Sequence, residues 1–398
     1  VTPSKLVTHR FDFADALKAY DLLDDKSSEY YLGIVLKYAQ AQGSEKAFKA
    51  APKPERVVQR NSSCGGADSA CCSGSAVGVG FVGAGNFAKA VLLPALKKTA
   101  GIDCVGVCTA TGVSAHAAAA KFGFRVLSTD YDELLAHKDV KAVFVTTRHS
   151  VHAAQVIKGL KSGRHVFVEK PLCISSEELT EICDCYNSLE KPPILQVGFN
   201  RRFAPMLQNM KELVAGKPMS AVYRINAGVI PLNTWVQDPA LGGGRIVGEV
   251  CHFVDALLYL AGSQPVMVFA DCVRKADRSI PDEDNLSLQI RFANGSTATV
   301  HYFAYGSKAM EKEYLELYAP NTAMKMTNFK TLEIFSGNNH KKIKSWSQQK
   351  GFTEELSAFV KAIKTGIPAI PFVDMVKVTK VCFAALESLR SGLPVRIE

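Results

Sequence analysis

The stretch AVGVGFVGAGNFAKAVLLPAL, residues 76–96, constrains the fold more than any other part of the chain. Apolar β-formers interleaved with glycine over Val77–Val82 predict a buried strand. Gly83-Ala84-Gly85-Asn86-Phe87-Ala88 then forms a G-x-G-x-x-A turn, and a helical pattern follows. In that setting the first glycine permits a tight turn and the second lets a pyrophosphate approach the backbone. A small third residue lets helix and strand pack closely. The helix N-terminus offers free N–H groups and a partial positive charge to the phosphates. The turn therefore predicts dinucleotide binding through Gly83, Gly85, Asn86, Phe87 and Ala88. A glycine turn without a ligand is the plainer alternative.

The ribose end is less determined. A dinucleotide fold selecting NAD expects an acid near the end of its second strand. Here that stretch reads Val107-Cys108-Thr109-Ala110-Thr111-Gly112, with neither acid nor arginine. Thr109 and Thr111 are candidates to hydrogen-bond a ribose hydroxyl or a 2′-phosphate. Both NAD and NADP stay open, with the missing acid tilting toward NADP or dual use.

Strand and helix signals alternate through residues 76–198. Strands are expected at Val77–Val82, Cys104–Cys108, Ala142–Thr146, His165–Val168 and Ile194–Val197, with helices between them, as at Ser114–Phe122, Tyr131–Ala136, Val151–Ser162 and Ser176–Ser188. This is the pattern of an α/β Rossmann domain with a parallel sheet. After Phe199 alternating runs succeed one another with few helices: Ala221–Ala227, Val266–Val273, Leu286–Phe292, Thr297–Ala304 and Tyr314–Tyr318. Residues 199–398 therefore predict an α+β domain with a large, mostly antiparallel sheet, open on one face and helical again at its end. Residues 51–75 include NSSCGGADSACCSGS, which has no large apolar side chain and reads as a linker. Residues 1–50, with a helix expected at Phe13–Leu23 and a strand at Leu32–Lys37, are too few for an independent core.

Composition narrows the class. The 398 residues are 47% hydrophobic, enough to bury cores in two domains. No apolar run approaches the roughly 20 residues of a membrane helix. The net charge of +9 is dispersed and forms no nucleic-acid stripe. The 11 cysteines include no C-x-x-C pair and no zinc spacing, so no metal is expected. Reduced thiols, a cytoplasmic setting and no secretory signal are the expectation.

Two stretches carry acid–base candidates. HVFVEKPL, residues 165–172, is a strand that ends by presenting Glu169 and Lys170, with Pro171 fixed behind them. In an open α/β sheet that edge is where ligands sit. Burial and the positive charge of an oxidised nicotinamide would lower the pKa of Lys170, allowing it to hold or relay a substrate hydroxyl proton. A solvated lysine is the alternative. LGGGRIVGEVCHFVDALLYLAG, residues 241–262, enters a helix through three glycines. Glu249, His252 and Asp255 are spaced three apart and are expected to share a face. A core-edge histidine with solvated acids is the alternative.

Together these pieces resemble the Gfo/Idh/MocA family of NAD(P)-dependent oxidoreductases. The resemblance rests on Gly83–Ala88, TTRHSVH at 146–152, GRHVFVEKPL at 163–172, QVGFNRRFAP at 196–205, GGGRIVGEVCHFVD at 242–255 and the C-terminal pattern, in order from about residue 76 to the end. It implies hydride transfer between nicotinamide and a secondary alcohol carbon of a sugar, inositol or sugar-nucleotide-like substrate. It matches the family lysine to Lys170, in a Lys–Pro bond that is often cis, and the helix histidine to His252. Thr147, Arg148, His152 and Glu169 become cofactor candidates, with Arg148 and His149 also placed to meet an anionic substrate. Asn200, Arg201, Tyr223 and Trp235 become substrate candidates; Arg202 is either another or structural.

The resemblance is incomplete at one motif. D-x-G-x-H reads Gly248-Glu249-Val250-Cys251-His252 here. Glu249 is displaced by one position, about 100° round the helix, and is the candidate to replace the missing Asp. The expected activity is a dehydrogenase on CH–OH groups, homo-oligomeric through the open sheet; a non-catalytic dinucleotide-binding sensor or complex subunit is the alternative. Residues 1–50 resemble the tail of a medium-chain alcohol dehydrogenase, as in bi-domain oxidoreductases, without that fold's cofactor turn or zinc ligands.

Overall fold

The computed structural model describes residues 6–16, 18–19, 22, 31–37, 58–59, 76–274 and 282–397. They fall in two compact units, Val1–Pro54 and Glu55–Glu398. In the first, strands β1 (His9–Asp12) and β2 (Ile34–Lys37) pair in parallel, His9 opposite Ile34. Phe13–Asp15 forms a 3-10 turn, and residues 16, 18, 19 and 22 are helical; residues 17, 20, 21 and 23 of the expected Phe13–Leu23 helix lie outside the described residues.

The second unit begins with a correction. Within the expected 51–75 linker, β3 (Val58–Gln59) pairs antiparallel with β6 (Val126–Ser128). Backbone pairing there covers the outermost parallel strand, whose N–H and C=O groups would otherwise face water. Residues 60–75 lie outside the described residues. The remaining strands of this sheet are β4 (Val77–Val82), β5 (Ile102–Cys108), β7 (Ala142–Val145), β8 (His165–Val168) and β9 (Leu195–Val197). Their order is β3-β6-β5-β4-β7-β8-β9, parallel throughout except at β3. Every residue of β4 is buried, as a central parallel strand requires.

Residues from Ser220 onward build a nine-stranded sheet: β10 (Ser220–Asn226), β11 (Pro265–Cys272), β12 (Asn285–Phe292), β13 (Thr297–Phe303), β14 (Glu313–Ala319), β15 (Thr322–Thr327), β16 (Thr331–Ser336), β17 (Asn339–Lys344) and β18 (Val395–Arg396). Its order is β17-β16-β15-β14-β10-β13-β12-β11-β18, antiparallel apart from β10 beside β13. One face packs against helices Cys251–Ala261 and Phe372–Ser391. The β15–β17 edge was not expected from the sequence. One face of it is apolar core, through Met324, Met326 and Leu332, and on the other Glu333 meets Lys325 at 3.1 Å and Lys342 at 3.5 Å on the flanking strands.

The domain expected at 76–198 gains a late element from beyond it. Phe81, Phe144 and Phe167 stack across β4, β7 and β8 at 4.7 and 4.9 Å. Their cover is Phe359, edge-on to Phe144 and Phe167 at 5.6 Å, from the late helix Phe352–Thr365. That helix belongs to the first domain's core because its apolar face, Leu356, Phe359 and Val360, finds the sheet's uncovered aromatic surface.

The crossing between the two sheets is fixed by consecutive arginines in the turn Asn200–Phe203. Arg201 donates to Glu313 through Nε and Nη2, both at 2.9 Å. Arg202 donates through Nε to Asp255 at 3.0 and 3.1 Å, with Asp374 at 3.5 Å. Arg202 is thus structural. Removing one partner of a buried pair strands the other charge. Asp255→Ala is expected to cost about 3–5 kcal/mol in urea unfolding, and Asp255→Asn distinctly less; equal, small losses would count against this tether.

Candidate active site

At the end of β4 the backbone turns through Gly83 at φ +89°, where a Cβ would lie 2.6 Å from the Thr146 carbonyl oxygen. Its N–H donates to the Cys108 carbonyl at 2.9 Å, and its own carbonyl accepts from Thr146 Oγ1 at 2.9 Å. A Cβ at Gly85 would meet nothing within 4 Å, so this face is open. Ala88 is buried and Phe87 exposed, the latter 5.9 Å from the Phe352 ring. The helix starts with a wide turn, Ala88–Leu92, before Leu93–Lys98. Pro94, which lacks the donor an interior helical residue needs, sits at that junction.

The turn opens into a cavity of about 1360 Å³. Its wall includes Gly83, Gly85, Asn86, Phe87, Ala88, Thr109, Thr147, Arg148, His152, Glu169, Lys170, Asn200, Arg201, Trp235, Glu249 and His252. One expected residue is missing from that wall. Tyr223 is fully buried on β10, where its hydroxyl donates to Glu313 at 2.7 Å. It braces Arg201 instead of facing a substrate; a tyrosine on an alternating strand gives no sign of which face carries its hydroxyl.

At the far end, Thr109 Oγ1 donates to the Thr111 carbonyl at 2.8 Å. Thr111 caps the helix Gly112–Phe122, accepting from Ser114 N–H at 3.3 Å, and its hydroxyl donates to Ser114 Oγ at 3.0 Å. The wall there adds Ser114, Thr129 and Tyr131, none of them charged at neutral pH and none expected from the sequence.

At the other end β8 delivers Glu169 and Lys170, and the Lys170–Pro171 bond is cis. His152 Nδ1 donates to the Pro171 carbonyl at 2.7 Å, and Nε2 lies 3.3 Å from the Thr147 carbonyl. Both ring nitrogens are turned to backbone, and burial lowers the imidazole to about 4. His152 therefore braces the lysine turn, in place of the cofactor contact expected of it. Burial pushes Glu169 up to about 7 against the pull of Lys170. Lys170 Nζ donates to the Gly248 carbonyl at 2.7 Å, and burial lowers its pKa.

The expected acid–base face of the 241–262 helix does not form as one face. Its first turn, Ile246–Val250, is also wide. The extra residue rotates Glu249 toward the second sheet, where it accepts from Tyr302 at 2.8 Å and pairs with Arg245 and with Lys312 at 3.2 Å. Three donors hold this carboxylate, which disfavours its use as a free base. Asp255 faces Arg202, away from the cavity. His252 remains. Its Nδ1 is buried without a partner among the described residues, and burial, then Arg201, Lys170, Lys312 and Lys350, push it well below 6.5. The ring is therefore neutral at physiological pH.

Residues 77–199 match the model described as an oxidoreductase family with an NAD-binding Rossmann fold, and residues 207–318 match the GFO/IDH/MocA C-terminal domain. The chain belongs to the Gfo/Idh/MocA oxidoreductases. Among its Gfo/Idh/MocA relatives, a myo-inositol 2-dehydrogenase of Thermotoga maritima is 26% identical over 70% of this chain and 86% of its own. A 1,5-anhydro-D-fructose reductase of Ensifer adhaerens is 27% identical over 56% of this chain and 68% of its own. A levoglucosan dehydrogenase solved in complex with NADH shares the fold, with a TM-score of 0.72 and 20% identity over 81% of this chain and 99% of its own.

The Gfo/Idh/MocA motif acid is absent at Gly248, and the structure shows what stands in its place. A Cβ at Gly248 would lie 3.3 Å from His149 Cε1 and 3.1 Å from the Gly242 carbonyl oxygen. His149, buried and edge-on to Trp235 at 4.8 Å, fills that ground.

The two turn glycines are expected to fail differently when changed to alanine. Gly83→Ala, strained at positive φ and against the Thr146 carbonyl, should lower the melting temperature. Gly85→Ala should leave it nearly unchanged while weakening NADH binding by about tenfold or more, since its methyl enters the space a pyrophosphate needs. Thermal melts and NADH titrations of both variants check this; NADH binding untouched by Gly85→Ala would move the cofactor off the turn.

Proposed function

We propose that this protein is an NAD(P)-dependent dehydrogenase acting on a ring secondary alcohol of a sugar or cyclic polyol. The observation that carries the reading is the Lys170 ammonium, 2.7 Å from the Gly248 carbonyl, in one cavity with the neutral His252 and the Gly83–Ala88 turn. The residues fit the cofactor: Gly85 presents open backbone, and the wall runs unbroken from it to Lys170. Gly83–Ala88 would hold the pyrophosphate and Thr109 the ribose end. Thr147, Arg148 and Glu169 would flank the nicotinamide half. When bound, the nicotinamide accepts or supplies the hydride.

The chain's own groups handle the proton. Lys170 Nζ hydrogen-bonds the reacting oxygen and offsets the charge it develops during oxidation. His252 takes the hydroxyl proton on its unprotonated ring nitrogen and returns it in the reverse direction. Asn200, Arg201 and Trp235 line the space a polyol ring would fill. The names of the Thermotoga and Ensifer relatives, an inositol dehydrogenase and an anhydrofructose reductase, support that substrate class.

Lys170→Ala should lower kcat for oxidation of myo-inositol or levoglucosan by about 100-fold or more, a typical contribution of a positioned acid–base group. The pH profile is set by the two shifts. His252, held well below 6.5, should add no inflection near that value, its acid limb lying well below it, and at high pH the rate should fall as Lys170 deprotonates, below the ordinary 10.5. An inflection near 6.5 that vanishes in His252→Asn would refute the neutral-imidazole role.

We infer dual cofactor use from the ribose end, where uncharged Thr109, Thr111 and Ser114 neither repel a 2′-phosphate nor pair with it. NADH and NADPH are expected to bind within about tenfold of one another; a preference beyond a hundredfold would argue against it. We propose further that copies pair through the open sheet, whose outward side carries Val222, 37% exposed, and Tyr318, 51% exposed. Sedimentation as a monomer at micromolar concentration would exclude that. The sequence resemblance of residues 1–50 to a medium-chain dehydrogenase tail supports proposing that kinship for them, and the thiols Cys108, Cys173, Cys185, Cys251 and Cys382, which form no disulfide, suit a reducing cytoplasm.

A further inference from the structure

The cations of the substrate end outnumber the anions that serve them. Glu313 is held by Arg201 at 2.9 Å and accepts from Tyr223 at 2.7 Å, yet Lys350 Nζ also leans on it at 3.3 Å. Glu249 is held by Arg245 and Tyr302, yet Lys312 Nζ also leans on it at 3.2 Å. Each carboxylate thus carries an arginine and a second, surplus lysine. Both lysines line the cavity beside His252. Burial and mutual repulsion penalise their charge: desolvation lowers each pKa, and each feels Arg201 as well. The Lys350 backbone is fixed at this end, its carbonyl accepting from Asn200 Nδ2 at 2.7 Å.

A second, independent observation runs the same way. Position 248, whose carbonyl accepts from Lys170 Nζ at 2.7 Å, is glycine and brings no acid to oppose this field. The group filling its ground, His149, is neutral. Its Nδ1 lies 2.7 Å from the Gly242 carbonyl, which only accepts, so Nδ1 carries the hydrogen. Burial, Lys170 and His152 then hold the ring at about 3. Unbalanced, partly buried ammonium groups are costly, and an anion brought in by the substrate would offset that cost.

We propose that the substrate is an anionic polyol, whose carboxylate or phosphate ester seats between Lys312 and Lys350. The inference rests on the dehydrogenase reading above and narrows its substrate class. A neutral sugar would leave both lysines with a half-share of a carboxylate. An acid sugar completes two ion pairs and orients its ring hydroxyls toward Lys170 and His252.

The test compares D-glucuronate, D-glucose 6-phosphate and D-glucose, each added to the protein saturated with NAD or NADP. Binding is followed by calorimetry and turnover by nicotinamide absorbance. At least one of the two anions is expected to bind about 100-fold more tightly than D-glucose at low salt, with the difference shrinking at high salt. Which anion wins separates a carboxylate from a phosphate ester. Lys312→Met should cut the anion-to-glucose ratio about tenfold and Lys312→Arg should restore it; Glu249 keeps Arg245 and Tyr302 in both variants. Because the wild-type salt series needs no variant, a misfolded mutant cannot mask the answer. D-glucose binding as well as both anions overturns the inference and leaves the dehydrogenase reading intact. A bound anion, sensitive to Lys312, that is never oxidised upholds the anion seat and overturns the reading.

Discussion

Two adjacent arginines hold this molecule's working geometry. Arg201 and Arg202 leave one short turn after β9 and bury their guanidinium groups on different partners, Glu313 of the sheet and Asp255 of the Cys251–Ala261 helix. Through these contacts the sheet and the helix of the second domain are both registered to the last strand of the first. The cavity is what remains between them. The Gly248 carbonyl that accepts from Lys170 at 2.7 Å lies in the turn leading into the helix that Asp255 anchors. Arg201 also presses over the Phe253 ring at 4.8 Å, so the same side chain orders polar and apolar layers together.

The nucleotide half was legible because its local rules agree. A buried strand, two glycines, a small residue and a helix demand one another, and β4, β8 and the Tyr131–Ala136 and Ser176–Ser188 helices occur where their patterns place them. The second sheet was legible where apolar residues alternate, as over Asn285–Phe292, and illegible at its charged edge. The strand Asn339–Lys344 owes its pairing to neighbours; its own side chains are nearly all exposed. The Phe352–Thr365 helix reads as amphipathic, but nothing local says which sheet it will cover.

The site was read well for position and less well for role. Nearly every expected residue lines the cavity, because strand ends and glycine turns lead there by topology. Roles failed where a hydrogen bond decided them. Spacing of three put Glu249, His252 and Asp255 on one face, yet after a single wide turn Glu249 meets Tyr302 and Asp255 meets Arg202, while His252 lines the cavity. His152 looks like a cofactor contact until its two nitrogens are seen on backbone carbonyls. His149 and Gly248 are 99 positions of sequence apart in effect, and only the fold shows that one occupies the other's volume.

The cover that Phe359 gives to the Phe81–Phe144–Phe167 stack has a consequence for how the chain is made. A ribosome releases the strands of this sheet first and the helix that shields them only after β10 to β17 of the second sheet. Until then a greasy aromatic surface stays uncovered, and the nascent nucleotide domain is a natural client for chaperones. Its maturation waits on the whole second domain, so neither half of the enzyme can be cut out of the gene as a contiguous block.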